Sequence, residues 1–166
     1  VYSEIKNYFQ SPSIGHFYEV FGDSAPYVRG VHRIVASYRE GDYPAILKDL
    51  INWNIASKRN CNYCLFLHGA LCKMISGQLD DPLLKDVEDI LNSDDIPDVY
   101  KKVLDFSAKI AFNMNDVNES DFKLMNELGF SDEEVRLFVQ AACWANLGQY
   151  LVDVTQCEFE DFMLDA

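Results

Sequence analysis

The apolar residues of this chain recur every three or four positions, in runs separated by short breaks that contain the prolines and several of the glycines. Only 8 glycines and 5 prolines occur among the 166 residues. Apolar spacing of this kind matches the turn of an α-helix, and no stretch shows the apolar and polar alternation of a half-buried strand. The sequence therefore predicts an all-α fold, a helical bundle of about six to eight helices.

Capping residues mark where several of these helices begin. Asn60 suits the N-cap of a helix from Cys61 to about Ser76, and Ser131 with Glu134 forms an S-x-x-E capping box ahead of the longest apolar run. The expected helices, in chain order, are 26–38, 44–59, 61–76, 80–91, 97–113, 119–129 and 132–155.

Length and charge narrow the possible functions. With 49% hydrophobic residues, the chain has enough apolar material for one well-packed domain over residues 1–166. Asp and Glu outnumber Lys and Arg by 27 to 14, so the net charge is −13, and nucleic acid and anionic membranes are poor partners. No apolar run reaches about 18 residues and the first residues lack the order of a secretory signal, so we expect a cytoplasmic protein.

Five cysteines, an odd number, suit reduced thiols or one redox pair better than the disulfide framework of a secreted protein. The sequence NCNYCLFLHGALC, residues 60–72, places Cys61, Cys64, His68 and Cys72 within an arc of roughly 80° on one helix face. An ordinary buried helix face can look the same. The cysteines without a companion motif are expected to fill the core: Cys72, Cys143 and Cys157.

Zinc binding is one chemistry that this stripe allows, since two cysteines, a histidine and a third cysteine are suitable ligands. Cys61 and Cys72 would lie about 16 Å apart along one helix, whereas the ligands of one zinc ion lie about 2.0–2.3 Å from it. A zinc site would require the helix to break, and Gly69 is its only weak point. A zinc-binding domain is therefore an alternative, not the first hypothesis.

Redox chemistry fits the same spacing better. Residues i and i+3 of a helix have Cα atoms about 5 Å apart, within the roughly 4.4–6.8 Å that a disulfide accepts. A helix N-terminus also favours a thiolate in its first turn. Helical side chains lean toward the N-terminus, so His68 would reach back over Cys64 and accept its proton. We therefore predict Cys64 as the nucleophile and Cys61 as the resolving thiol.

A histidine base works best when a carboxylate holds its other ring nitrogen. Asp49 lies twelve residues before Cys61, on the preceding helix, and the short connection predicts that the two helices are neighbours in an antiparallel pair. Asp49 is therefore the candidate partner of His68. Structural roles, by packing or by lining the pocket, are expected for Tyr63, His16 and His32.

The stretch KDLINWNIASKRNCNYCLFLHGAL resembles the signature of the AhpD-like alkylhydroperoxidase and carboxymuconolactone decarboxylase superfamily, E-L-x-x-L-x-V-S-x-x-N-x-C-x-Y-C-x-x-x-H. Asp49 stands at the glutamate of that signature. The residues that fall in register after it are Cys61, Tyr63, Cys64 and His68. The later stretch VLDFSAKIAFNMNDVNESDFKLMNELGFSDEEVRLFVQAACWANLGQYL is similar to the closing helices of the family.

This resemblance, which spans about residues 26–155, implies an all-helical AhpD-like domain that assembles into a homo-oligomer, a trimer or hexamer. It also implies a thiol peroxidase or disulfide reductase that uses Cys61 and Cys64 without metal, haem or another cofactor. The decarboxylase branch generally lacks the CxxC motif, so the motif points to the peroxidase-related branch. The implied partners are a peroxide substrate and a dithiol or protein reductant that the sequence does not identify.

Two departures from the family pattern concern the site. Asp49 is one methylene shorter than the usual glutamate, and the common N-x-x-N-R near the C-terminus appears as NLGQY, residues 146–150. A non-catalytic helical oligomer that keeps the fold as an interaction module is the alternative from another functional class, beside the zinc-binding domain.

Overall fold

A computed structural model of the protein describes residues 1–9, 15–22, 24–85 and 87–164. These residues form α-helices and turns with no β-strand among them, so the all-α prediction is confirmed. None of the helices they form is long and apolar enough to cross a membrane. The helices are α1 (Tyr2–Phe9), α2 (His16–Glu19), α3 (Ala25–Arg39), α4 (Ala45–Arg59), α5 (Asn62–Ser76), α6 (Asp98–Phe112), α7 (Glu119–Glu127), α8 (Asp132–Thr155) and α9 (Asp161–Leu164).

Helix α4 is the centre of the bundle and packs against α3, α5, α6 and α8. Its large apolar residues without exposed surface are Ile46, Leu47, Leu50, Ile51 and Ile55. Together they span about half of the helix circumference, which is why several helices can pack on α4 at once. Because full burial of one such side chain contributes about 1.5–3 kcal/mol, this helix holds the main core together.

Most helix boundaries follow the predicted capping signals. At the start of α8 the Glu134 backbone N–H donates to Ser131 Oγ at 3.2 Å, and the Ser131 N–H donates to the Glu134 carboxylate at 2.7 Å. This is the predicted capping box. The apolar pattern does not predict α1, α2 or α9, because helices of four to eight residues have too few periodic positions.

The prediction of a helix over residues 80–91 is wrong. Among the described residues of this segment, only Pro82–Leu84 are helical, and they form a short 3₁₀ helix. The Asp81 carboxylate accepts a hydrogen bond from the Leu83 backbone N–H at 2.9 Å and another from the Tyr100 hydroxyl on α6. An aspartate side chain that bonds to a nearby backbone N–H competes with α-helix formation. This segment therefore forms turns that are held to α6 through Asp81.

Asn60 was expected to be the N-cap of α5, but in the structure it ends α4 instead. Its φ of 61° lies in the left-handed region. The Asn60 N–H bonds to the Ser57 carbonyl at 3.4 Å, and the Cys61 N–H bonds to the Ala56 carbonyl at 3.1 Å. These two bonds make a Schellman motif, in which asparagine is tolerated at the left-handed position. Cys61 is therefore the N-cap of α5, and the tight turn lets α5 pack along α4.

Helix α8 ends in the same way. Gln156 has a φ of 53°, and the Cys157 N–H bonds to the Val152 carbonyl at 3.1 Å. The chain then reverses, and α9 packs on α5. We call residues 156–164 the C-terminal segment. This second left-handed turn brings that segment to the start of α5.

Candidate active site

A cavity of about 660 Å³ lies between α3, α4, α5 and α8, and α2 and the C-terminal segment also line it. Its wall is largely aromatic and aliphatic with a few polar groups, which is typical of small-molecule sites. The polar side chains at its wall include Arg39, Asn52, Cys64, His68, Gln149 and Glu160.

The structure places His68 in direct contact with Asp49. His68 Nδ1 lies 2.8 Å from Asp49 Oδ1, and the two residues are 5% and 2% exposed. A carboxylate can only accept a hydrogen bond, so Nδ1 carries the proton and Nε2 is the basic nitrogen of the neutral ring. The aspartate therefore reaches the histidine without a bridging group, although it is shorter than the glutamate usual in the family.

Arg39, the last residue of α3, completes this buried polar group. Its Nη2 donates to the same Asp49 Oδ1 at 3.1 Å. Lys48 Nζ donates to the backbone carbonyls of Arg39 and Gly41, which ties the end of α3 to α4. Burial alone would raise the pKa of Asp49, but the hydrogen bond from His68 and the charge of Arg39 outweigh it, so the pKa is lowered. Asp49 is thus held as an anion beside the histidine.

Cys61 and Cys64 are both free thiols at the start of α5. Cys61 has no exposed surface, whereas Cys64 is 6% exposed and lines the cavity. The two thiols interact with each other in one buried cluster. The fold therefore brings the two motif cysteines together, but only Cys64 reaches the cavity wall that also contains His68.

The surroundings of Cys64 do not favour a resting thiolate. Its hydrogen bond to Cys61 and its burial raise its pKa well above the ordinary value, and the charge of Asp153 adds to the effect. The partial positive charge of the α5 N-terminus acts first on Cys61, which occupies the N-cap. Cys64 is thus protonated in the resting site and needs a base to ionise it.

Glu160 joins three parts of the chain at the edge of the cavity. Its Oε1 accepts a hydrogen bond from the Tyr63 hydroxyl at 2.8 Å and another from the His16 backbone N–H at 2.7 Å. The Phe159 ring stacks on Tyr63 and meets Phe66 edge-on, with centroid distances of 6.3 Å and 5.5 Å. Tyr63 therefore lines and packs the site, and the Phe159 ring of the C-terminal segment lies over it.

The sequence did not indicate several polar residues of the cavity wall, among them Arg39, Asn52, Gln149 and Glu160. Arg39 has the ordinary sequence context of a basic residue at a helix C-terminus, and Glu160 is one of 27 acidic residues. Gln149 is fully buried and donates from Nε2 to the Asn52 backbone carbonyl at 3.4 Å. Only the packing of α3, α8 and the C-terminal segment against α4 and α5 brings these residues to the cavity.

The three cysteines expected in the core have different surroundings. Cys72 is completely buried, as predicted. Cys143 is exposed on the outer side of α8, so the prediction is wrong there, because a 24-residue helix buries only part of its circumference. Cys157 is only partly buried, and it packs in the same cluster as Cys61 and Cys64.

The arrangement of possible metal ligands bears on the zinc-binding alternative. Across residues 1–9, 15–22, 24–85 and 87–164, no three His, Cys, Asp or Glu side chains are placed to hold one metal ion. Cys72 belongs to the main core, whereas the two motif cysteines belong to a separate cluster. The described residues thus supply no zinc ligand set.

Solved structures of proteins described as peroxidase-related have the same fold. The chain is similar to an uncharacterized peroxidase-related protein from Ralstonia eutropha JMP134, described as an alkylhydroperoxidase AhpD core, with a TM-score of 0.80 and 20% identity over 97% of this chain and 84% of that one. It is also similar to an uncharacterized peroxidase-related protein from Silicibacter sp. TM1040, with a TM-score of 0.79 and 16% identity over 96% of this chain and 83% of that one. No protein-family model and no curated protein matches the chain. The chain therefore has the AhpD-like helical fold that its sequence motif implies.

Proposed function

We propose that this chain is a thiol peroxidase, or a disulfide reductase with the same cysteine chemistry, in which Cys64 is the nucleophile. One observation carries the proposal: the buried group of Arg39, Asp49 and His68 ends at a cavity that Cys64 also lines. An acid–base group beside an accessible thiol is the arrangement expected for an activated nucleophile. The similarity in fold to two peroxidase-related proteins agrees with it.

Proton transfer is the first step of the mechanism. Asp49 holds Nδ1 of His68, so Nε2 takes the proton of Cys64 and the carboxylate stabilises the imidazolium that forms. The Cys64 thiolate attacks the terminal oxygen of a hydroperoxide, ROOH. The O–O bond breaks, Cys64 becomes a sulfenic acid, and the alkoxide takes the proton from His68 and leaves as ROH.

Cys61 resolves the sulfenic acid in the second step. Cys61 packs in the same buried cluster as Cys64, so its thiol can condense with the sulfenic acid. Water leaves, and a disulfide forms between Cys61 and Cys64. An external dithiol, free or carried by a protein, then supplies two electrons and becomes a disulfide itself. The scheme uses no metal or organic cofactor.

The raised pKa of Cys64 predicts how the rate depends on pH. The thiolate is a small fraction of Cys64 at neutral pH, because the thiol bonds to Cys61 and is buried. Below a pKa the deprotonated fraction rises tenfold per pH unit, so we expect peroxide consumption to accelerate from about pH 6 to about pH 9.

A single-turnover oxidation tests the proposal. The reduced protein is mixed with one equivalent of an organic hydroperoxide, quenched with an alkylating agent, and its disulfides are mapped by mass spectrometry. We expect the peroxide to be consumed and Cys61 to be linked to Cys64. Cys64→Ser should abolish consumption, whereas Cys143→Ser, which changes an exposed thiol on α8, should leave it unchanged.

Unconsumed peroxide with every thiol still open to alkylation would contradict the proposal. That outcome would favour the non-catalytic interaction module. A disulfide that joins Cys64 to Cys72 would also contradict the assigned roles, since Cys72 lies in the main core.

A further inference from the structure

A third thiol lies beside the motif pair. The left-handed turn at Gln156 places Cys157 in the same packed cluster as Cys61 and Cys64. Tyr63, which lies between the two motif cysteines in the sequence, is buried in the same cluster. The cluster therefore holds three thiols, of which the proposed mechanism uses two.

The three thiols differ in their access to solvent. Cys61 has no exposed surface, and Cys64 is 6% exposed at the cavity wall, whereas Cys157 is partly exposed outside it. Reduction of a disulfide requires a thiolate to reach one of its sulfur atoms. A disulfide between Cys61 and Cys64 is therefore shielded from a reductant too large to enter the cavity, while a disulfide that includes Cys157 is not.

We propose that Cys157 is a further redox residue, which exchanges with the Cys61–Cys64 disulfide and carries it to the surface for reduction by an external dithiol. The inference rests on the proposed function only for the origin of that disulfide. The Cys157 thiolate attacks Cys64 Sγ, a Cys64–Cys157 bond forms, and Cys61 leaves as a thiolate that takes up the proton lost by Cys157. This exchange involves no net oxidation. The external dithiol then reduces the Cys64–Cys157 bond and is itself oxidised.

The position of Cys61 suits a leaving group, because it is the N-cap of a 15-residue helix whose first backbone N–H groups favour an anion. The Cys61 sulfur can leave as an anion while the Cys61 backbone stays in place, since the exchange requires only that this sulfur be released from Cys64. The attacking residue lies on a segment that is joined to α5 through side-chain contacts, so Cys157 can approach Cys64 by a movement of that segment alone.

Burial and acidic neighbours slow the attack by Cys157. Burial raises its pKa, and the charges of Glu160, Glu158 and Glu19 raise it further, to about 11. The thiolate is therefore scarce at neutral pH. We expect exchange to accelerate about tenfold for each pH unit below that pKa.

Disulfide mapping after treatment with diamide tests the exchange without peroxide, because diamide oxidises thiols directly. In Cys61→Ser we expect a link between Cys64 and Cys157, in a yield about tenfold above any link to the exposed Cys143, since neighbouring thiols have a high effective concentration. In the double variant Cys61→Ser/Cys157→Ser, Cys64 should stay open to alkylation. A missing Cys64–Cys157 link, or a yield no higher than for Cys143, would overturn the inference.

The rate of reduction gives a second measurement. We expect reduced thioredoxin, a protein dithiol too large to enter the cavity, to reduce the oxidised Cys157→Ser variant roughly tenfold more slowly than the oxidised wild type, since the accessible sulfur is gone. Cys143→Ser should match the wild type. Equal rates in all three proteins would overturn the role of Cys157 and leave the proposed peroxidase intact. A diamide-induced Cys64–Cys157 link in a protein that does not consume peroxide would reject the peroxidase and keep the exchange.

Discussion

At the scale of single residues, Asp49 determines the chemistry that the site can perform. It is 2% exposed, and it stays ionised because His68 and Arg39 both bond to its Oδ1. Breaking a buried ion pair by removing one partner typically costs about 3–5 kcal/mol. The side chain of Arg39 is 25% exposed, so solvent would offset part of that cost here. A substitution that keeps the shape of Asp49 is therefore the most informative one.

The first prediction is that Asp49→Asn slows the alkylation of Cys64. Without the carboxylate, the imidazolium of His68 is less stable, so the thiol holds its proton more tightly. We expect a loss of about tenfold at neutral pH, which corresponds to a rise of one unit in the pKa of Cys64, or about 1.4 kcal/mol. The measurement is the alkylation rate against pH, with the other reactive thiols, Cys61, Cys143 and Cys157, replaced by serine.

Asp49→Glu is the matched control for this prediction. It keeps the charge and restores the residue that is usual in the family, so it should retain the alkylation rate of the wild type. Alkylation profiles that coincide for Asp, Asn and Glu would show that Asp49 has only a structural role.

At the scale of elements, the C-terminal segment packs against the motif cysteines. The Met163 side chain anchors it in the cluster around Cys61 and Cys64, and Glu160 bonds it to Tyr63. Burial and the charge of Glu160 raise the pKa of Tyr63, so its hydroxyl keeps its proton and continues to donate through the neutral range. A hydrogen bond to a charged acceptor, such as the one from Tyr63 to Glu160, contributes about 1.5–3 kcal/mol to stability, whereas a bond to a neutral acceptor contributes about 0.5–1.5 kcal/mol.

The second prediction is that Glu160→Gln loosens this segment. The weaker bonds to Tyr63 and to the His16 backbone should let the segment open more often, so we expect Cys64 to be alkylated several-fold faster. Faster amide hydrogen exchange in residues 157–163 should accompany the change. Glu158→Gln removes the same charge from an exposed side chain and should leave both rates unaltered. Equal rates for all three proteins would count against a closing role for Glu160.

At the scale of the whole molecule, the outer side of α8 carries an apolar surface, which we define as Leu147, Tyr150 and Val154. These residues are spaced three and four apart and are 41%, 56% and 82% exposed. The Arg59 guanidinium lies 4.7 Å from the Tyr150 ring centroid and 5.0 Å from that of Phe112, which extends the surface onto α6. Apolar surfaces of this kind mark interaction sites. A chain with a net charge of −13 needs such contacts to associate with its own copies.

The third prediction is that the protein is a homo-oligomer assembled through this outer surface of α8. Sedimentation velocity at micromolar concentration should show an oligomer for the wild type. Val154→Glu should shift it toward monomer, because a buried, unpaired charge is costly in an interface. Met74→Glu introduces the same charge at a residue that is 58% exposed on α5 and should have no effect. A monomeric wild type would contradict the prediction.

Local sequence signals, such as capping residues and apolar spacing, were sufficient to predict most of the helices. The capping box at Ser131 and the apolar period of α8 are local, so they predict that helix without knowledge of its partners. The failures came where distant contacts compete with local preference. Asp81 bonds to Tyr100 on α6 and the expected helix does not form, and Asn60 adopts the left-handed turn that ends α4.

The sequence by itself determined the parts of the site that lie on one helix or on two helices joined by a short turn. Cys64 and His68 lie on α5, Cys61 caps it and Asp49 lies on the helix just before it, so spacing alone indicates that these residues share one region of the fold. Tertiary structure alone decided the rest, because Arg39, Glu160 and Cys157 belong to elements whose positions depend on packing. No local spacing relates a residue at the end of α3, or one beyond the last turn of α8, to a thiol on α5.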